Sequence, residues 1–535
     1  MKQMIKVIVS VMSIFITDGI NAEVERRPNI LFFFADDWGR YASIYADRNN
    51  PSLNDIISTP NIDRIGREGV VFDNAFVPVA SCNPCRASLA TGRYFWNCGT
   101  GAFLNGKASN WEGYDNPMHS LPKFGDLIRE SGYFAQKSRK TFAFTPSSRP
   151  NSERSLKKVG YERYGLYVGS SKNKSERKTR QETIVKNCRQ EIRQVLADRS
   201  KEQPFFFVFG SINAHRPYTP DSGKDLWGIE PDSLKGLLPK FLPDAHDIRR
   251  DFSDYLGEVL ALDLMLGAMI DELTSTGELD NTVVILSGDH GIPGVPRGKT
   301  NCYDLATRVP LMVRWPERIP FGRRIEDFVS IMDIGPTLLE LSGVNVPVSM
   351  DGRSFLQQLT SKERGWIDPK RDSVIIGREL HFHNARPGNM PYPMRAVRTK
   401  DYLYIRNFKP ERWPMGDPFE AAELTRTDDL YKMGLSTKPA YRDLDGSLTK
   451  AWMMSQHEKT DDKALFQLTM HPRPSEELYD LKKDPNQLLN LAAVPELRTT
   501  LKTLRSHVDQ VMNKTSDPRL KDAFDQLPWV DSTKP

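Results

Sequence analysis

The chain has 535 residues, 39% of them hydrophobic and 27% charged, with 37 prolines and 35 glycines. That balance excludes wholesale disorder, and the length exceeds what one core of ordinary size organises, so two domains are expected. A formal charge of +5 is small for such a length and gives nucleic-acid binding no bulk support.

At the N-terminus, Lys2 and Lys6 precede an apolar stretch from Val7 to Ile16 and a short polar region ending at Ala22. This is the pattern of a cleaved export signal over residues 1–22. The stretch is too short to span a bilayer, and no cysteine lies near Ala22 to take a lipid. An exported protein without a stable membrane anchor is therefore expected, periplasmic or secreted, or lysosomal in a eukaryote.

Three runs dense in apolar residues follow: Ile30 to Ala35, Phe205 to Gly210 and Thr282 to Leu286. They lack the alternation of a half-exposed strand, which predicts a mostly parallel α/β sheet covered by helices on both faces. The Lys- and Arg-crowded stretch from Arg149 to Arg189 reads as a solvated insertion or as a rim that contacts a polyanion. Leu256, Val259, Leu260, Leu266, Met269, Ile270 and Leu273 recur at helical spacing, predicting a helix over Ser253 to Ser275 that stops at Gly277. A strand is expected over Pro310 to Trp315 and a helix over Ile334 to Ser342. Beyond Trp366 prolines, aromatics and arginines dominate, so a catalytic domain over 23–368 and a smaller α+β domain over 369–535 are expected. The latter contains a strand at Tyr402 to Ile405, a turn-rich segment at Glu477 to Asn490, and a helix from Val494 to Asn513.

Each apolar run ends in chemistry, at Asp36 and Asp37, at His215, and at Asp289 and His290. Sites in open α/β sheets gather at the carboxyl ends of the strands, which points to one shared pocket. Converging buried carboxylates repel one another unless a cation neutralises them, and an oxygen-rich set selects Ca²⁺ or Mg²⁺, with His290 as an added ligand or supporting donor. Alone, an Asp-Asp pair after a strand is an ordinary turn or helix cap. Between these ends lies SCNPCRASLATGR, residues 81–93, which places Cys82 at a helix N-terminus, where backbone N–H groups favour an anion, with Arg86 one turn on. A buried structural thiol is the plain alternative. The chain has five cysteines, an odd number that leaves at least one unpaired, and Cys82 is the candidate.

CxPxR followed by TGR resembles the signature of the type I sulfatases, and the likeness runs from RPNILFFFADDWG through TPNIDRIGREGVVFDNAFV and SGDHG to ELYDLKKDPNQLLNLA. The resemblance implies an alkaline-phosphatase-like domain, one Ca²⁺, and a formylglycine nucleophile made from Cys82 by a formylglycine-generating or radical maturation enzyme. By the same resemblance Cys82, Asp36, Asp37, Asp289 and His290 hold the metal, Arg86, Lys140 and Lys299 manage charge, and His215 stands by the leaving oxygen. Relatives usually have Asn at the place of His290. Phe142 and Ala143 stand where relatives carry a histidine that helps release sulfate, and Arg139 replaces a glycine. That leaves regeneration of the aldehyde without its usual group, for which His381 and His383 are candidates, each otherwise a surface histidine. Arg378, His381, His383, Arg386 and Arg395 read as contacts to a sulfated glycan or as a domain-packing loop. YPMRAVRT, within that stretch, is similar to N-sulfoglucosamine sulfohydrolases and bacterial polysaccharide sulfatases. The expected reaction is hydrolysis of sulfate esters on a polysaccharide, with sulfamate hydrolysis, phosphodiester or phosphonate hydrolysis, and glycan binding without catalysis as alternatives.

Overall fold

The computed structural model describes residues 27–103, 116–148, 163–418, 427–438, 440–456 and 458–531. The expected export signal and part of the basic insertion, 149–162, lie outside the described residues. Among the described residues no helix is long and apolar enough to cross a membrane.

Strands β1 (Asn29–Ala35), β2 (Val70–Phe76), β3 (Phe134–Arg139), β4 (Phe205–Gly210), β5 (Thr282–Gly288), β6 (Leu311–Arg314) and β7 (Arg323–Ser330) form one sheet in the order β3-β4-β1-β5-β6-β2-β7. β6 alone runs against its neighbours, so the sheet is mixed but mostly parallel. Every residue of β1, β4 and β5 is buried. Ile30, Phe32 and Phe34 enter one core while Leu31, Phe33 and Ala35 enter the other, which is why the sequence shows no alternation. Each such side chain stabilises by about 1.5–3 kcal/mol relative to exposure.

The helix expected from Ser253 begins at His246 and runs to Ser275. Its first turns are polar and are held by ion pairs such as Arg249 with Asp244, which apolar spacing does not register. Part of the basic insertion is a helix, Lys174–Asp198, whose Ile184, Cys188, Ile192 and Val195 pack into the second core. That segment is therefore anchored on one side rather than wholly solvated.

A second, antiparallel sheet follows, β8 (Ser373–Arg378), β9 (Met394–Thr399), β10 (Tyr402–Asn407) and β11 (Glu476–Asp480), in the order β11-β10-β9-β8. The last long helix, Arg498–Lys514, covers β9 and β10 with Leu501, Leu504, Val508 and Met512 buried. It starts at Arg498 rather than Val494 because Pro495–Leu497 forms a separate 3₁₀ turn.

Arg395 on β9 is where the two regions are locked. It is fully buried, its Nε and Nη2 donate to Asp517 at 2.6 and 2.9 Å, its Nη2 also donates to Glu379 at 2.8 Å, and its Nη1 donates to two backbone carbonyls. The guanidinium also lies 4.7 Å from the Trp96 ring of the N-terminal region. No donor is left for a glycan, so the substrate reading of Arg395 is corrected to a packing role. Arg395→Ala leaves buried acids uncompensated and is expected to cost about 3–5 kcal/mol in urea unfolding; a loss below about 1 kcal/mol contradicts this account.

Candidate active site

β3, β4, β1 and β5 are parallel neighbours in register, so their carboxyl ends line up along one edge. β3 delivers Lys140, the loop after β4 delivers His215, β1 delivers Asp36 and Asp37, and β5 delivers Asp289 and His290. In an extended strand consecutive side chains point apart. Asp37 has φ of 57°, the left-handed conformation that Asp tolerates, and this breaks the alternation. As a result ligand atoms of Asp36, Asp37, Cys82 and His290 all lie within 4.8 Å of one another, and all four residues are buried.

Cys82 opens the helix Cys82–Thr91, and Arg86 follows one turn later on the same face. Arg86 is the hub of the cluster. Its Nη2 lies 3.0 Å from Asp36 Oδ1 and 2.8 Å from Asp289 Oδ2, its Nε donates to Asp289 Oδ2 at 3.0 Å, and its Nη1 donates to the Lys140 carbonyl at 2.7 Å. Beneath it lies the Phe34 ring, 4.9 Å away. Lys140 Nζ donates to Asp36 Oδ2 at 2.5 Å, and Lys299 Nζ reaches Asp37 Oδ1 at 3.2 Å.

Burial alone would raise Asp36, but Lys140 and Arg86 outweigh it and hold the carboxyl well below its ordinary range. Asp289 goes the other way, raised by burial that Arg86 offsets only in part. Burial opposes the charge on Lys299, yet Asp37 and Asp445 hold it cationic, well above the usual lysine range. The Cys82 thiol is pushed far up, first by burial and then by Asp36.

His290 is fully buried, and its Nδ1 donates to the Gly291 carbonyl at 3.1 Å. Nε2 faces the cluster, 3.2 Å from both Asp37 Oδ1 and Cys82 Sγ. With Asp36, Asp37 and Cys82 this nitrogen forms a group that could hold a metal ion, and a backbone carbonyl on the far nitrogen is the usual support of a metal-bound histidine. The two carboxylates, the imidazole and the side chain at position 82 make a set able to hold a divalent ion. Asp289 stands slightly apart, with Oδ1 accepting from the Asp37 N–H at 2.9 Å and Oδ2 taken by Arg86.

His215 Nδ1 donates to the Arg216 carbonyl at 2.6 Å, and its Nε2 lies 4.0 Å from Asp37 Oδ2. Phe142, at the place of the missing histidine, is buried in an aromatic cluster with Phe32, Phe34, Phe124 and Phe144. His381 is buried rather than on the surface, and its Nδ1 lies 2.8 Å from the hydroxyl of Ser81, the residue before Cys82. His383 is half-buried. Arg386 is enclosed and donates to Trp413 and Pro414 carbonyls and to Asp443 at 2.6 Å, so its substrate reading is also corrected to packing. Arg378 Nη2 donates to the same Asp443 at 2.5 Å.

Asp443 and Asp445 escaped the sequence reading, because YRDLDGS, residues 441–447, reads as a solvated turn. Asp445 Oδ2 lies 3.3 Å from Lys299 Nζ.

Fold and site define a mixed α/β enzyme with carboxylates, an imidazole and three cationic side chains gathered at the carboxyl ends of its parallel strands. The sulfatase family model matches residues 28–344, and the model described as N-sulphoglucosamine sulphohydrolase, C-terminal, matches residues 297–436. The chain belongs to the sulfatase family and is a hydrolytic enzyme of that family. It is 27% identical to the human N-sulphoglucosamine sulphohydrolase over 92% of this chain and 91% of that protein. It is 24% identical to an ulvan-active sulfatase of Formosa agariphila over 92% of this chain and 76% of that one. A solved putative sulfatase of Bacteroides fragilis shares the fold with a TM-score of 0.59 at 17% identity, covering 92% of this chain and 97% of that chain.

Lysine cannot reproduce the fork by which Arg86 joins Asp36, Asp289 and the Lys140 carbonyl. Arg86→Lys is expected to lower sulfate release roughly 100-fold or more while the far-ultraviolet circular dichroism stays unchanged; wild-type activity in that variant contradicts the hub role.

Proposed function

We propose that the protein is a calcium-dependent carbohydrate sulfatase that removes sulfate from a sulfated polysaccharide or its oligosaccharides, with formylglycine derived from Cys82 as nucleophile. The observation that carries this reading is the environment of Cys82. Cys82 opens a helix inside the buried cluster, with ligand atoms of Asp36, Asp37 and His290 all within 4.8 Å of one another and of its sulfur. The same position, at a helix start beside Asp37 and His290, suits an oxygen nucleophile next to a cation. A formylglycine hydrate at position 82 would supply one hydroxyl that bonds to sulfur as the bond to the alcohol oxygen breaks, and a second whose deprotonation would release sulfate and leave an aldehyde that one water rehydrates, so the net reaction would consume one water and yield alcohol and sulfate. Asp36, Asp37, His290 and the residue at 82, with Asp289 beside them, would hold Ca²⁺, which supplies Lewis-acid stabilisation of negative oxygen.

The chain's own groups then divide the work. Lys140 and Lys299, each tied to a cluster carboxylate, present fixed positive charge where the sulfate oxygens gather negative charge. Arg86 fixes Asp36 and Asp289 in place. His215 Nε2 gives a proton to the departing alcohol oxygen, its ring oriented by the Arg216 carbonyl. The sugar assignment draws on the relatives, one named for ulvan and one for N-sulphoglucosamine. A maturation enzyme and an export route belong to the same reading.

Peptide mass spectrometry of the active protein should show the Cys82 side chain as an aldehyde; an unmodified thiol in an active preparation overturns the nucleophile. Ulvan oligosaccharides and heparan-derived saccharides, N-sulfoglucosamine among them, form the substrate panel, read by sulfate release. Removing metal with a chelator should abolish that release and lower the thermal midpoint, and Ca²⁺ should restore both. Asp37→Ala should lose roughly 100-fold or more in kcat.

A further inference from the structure

Asp445 lies beyond the C-terminal family match, which ends at residue 436. Its segment is fastened to the loops of the catalytic sheet at several points. Ser447 Oγ donates to the Gly294 carbonyl at 2.6 Å, and Thr449 Oγ1 donates to Asp251 Oδ2 at 2.6 Å, the carboxylate that Arg216 also grips at 2.6 and 2.7 Å. Gly294 has φ of +70°, and a Cβ there would stand 2.8 Å from Ser447 Cβ and 3.0 Å from the Asp445 carbonyl, so the two loops meet without a side chain between them. Lys450, buried and held down to about 7 by that burial, donates to the carbonyls of Ser436, Ala440, Tyr441 and Leu444 at 2.8 to 3.3 Å. Asp445 is placed by a rigid support.

One of its oxygens is engaged. Oδ2 faces Lys299 at 3.3 Å, and among the described residues Asp445 has no other ion pair. The cluster carboxylates Asp36, Asp37 and Asp289 have no exposed side-chain surface, and Arg86 has 6%. Lys140 at 33%, His215 at 24% and Asp445 at 11% form the open edge. The alcohol half of a sulfate ester has to lie along that edge. A carboxylate there repels a second anion and accepts from a neutral donor, and a sugar ring offers hydroxyls.

We propose that Asp445 is a specificity residue, which positions Lys299 with one carboxylate oxygen and accepts a hydrogen bond with the other from a hydroxyl of the sugar that carries the sulfate. The proposal rests on the sulfatase reading above. It also implies that a ring with a hydroxyl next to the reacting sulfate is preferred over one with a second anionic group there.

The test compares kcat/KM of the wild type, Asp445→Asn and Asp445→Ser on two substrates: the sulfated saccharide that the wild type hydrolyses best in the panel above, and 4-nitrophenyl sulfate, whose alcohol has no ring hydroxyls. Both variants should lose activity on both substrates, because Lys299 loses its partner, and roughly 10- to 100-fold more on the saccharide than on the aryl ester, the extra loss falling mainly on KM. The ratio of the two losses is read, so any unfolded fraction cancels. Equal losses on both substrates, or none on either, overturn the specificity role. A wild type that releases sulfate from no substrate overturns the sulfatase reading itself, a distinguishable result.

Discussion

Three fully buried carboxylates, Asp36, Asp37 and Asp289, converge at the ends of adjacent strands, and the rest of the structure is arranged around that charge. An ionised carboxylate taken from water costs several kcal/mol even after relaxation. Arg86 answers two of the three at once, because a guanidinium fork set one turn into a helix reaches both strand ends. Lys140 comes from the end of β3 and Lys299 from the loop after β5. Lys299 is in turn balanced by Asp445 from the C-terminal region. That region is thus part of the charge arrangement and not only a cover over it.

The parts legible in the sequence were those whose signal is local. β1, β4 and β5 show as unbroken apolar runs because each lies between two cores, and the Cys82 helix shows through its own motif. β2, β3 and β7 carry Asp73, Lys137 and Arg324, so their strand character was diluted by side chains that reach solvent or ion pairs. Arginines were harder still. Arg395 and Arg386 look like glycan contacts in sequence because their partners, Asp517, Glu379 and Asp443, are distant along the chain or sit in an unremarkable turn. A guanidinium reads alike whether its acid is a ligand or a residue 122 positions away.

Phe142 shows the same limit from the other side. Its ring packs 6.4 Å from Phe34, and Phe34 lies 4.9 Å under Arg86, so the aromatic cluster is the floor on which the charged hub rests. A polar ring buried among those phenylalanines would lack partners, at a cost in stability. The imidazole that does face Cys82 Sγ, at 3.2 Å, belongs to His290, which the sequence had already grouped with Cys82 in one metal shell by resemblance, though not at contact distance.

Charge balance bears on which ester the pocket accepts. Asp36, Asp37, Asp289 and Asp445 set against Arg86, Lys140 and Lys299 leave these fixed charges one positive short. The divalent ion proposed for the site reverses that sign and leaves one positive charge in excess. A sulfate monoester carries a single negative charge and brings the assembly to neutrality. A phosphate monoester carries about −1.5 to −2 near neutral pH and leaves a residual negative charge in a pocket walled by buried groups. Such an imbalance is costly where little solvent screens it. On the proposed metal-bound reading these fixed charges match a singly charged ester, and Asp445 is one of the members that set the match.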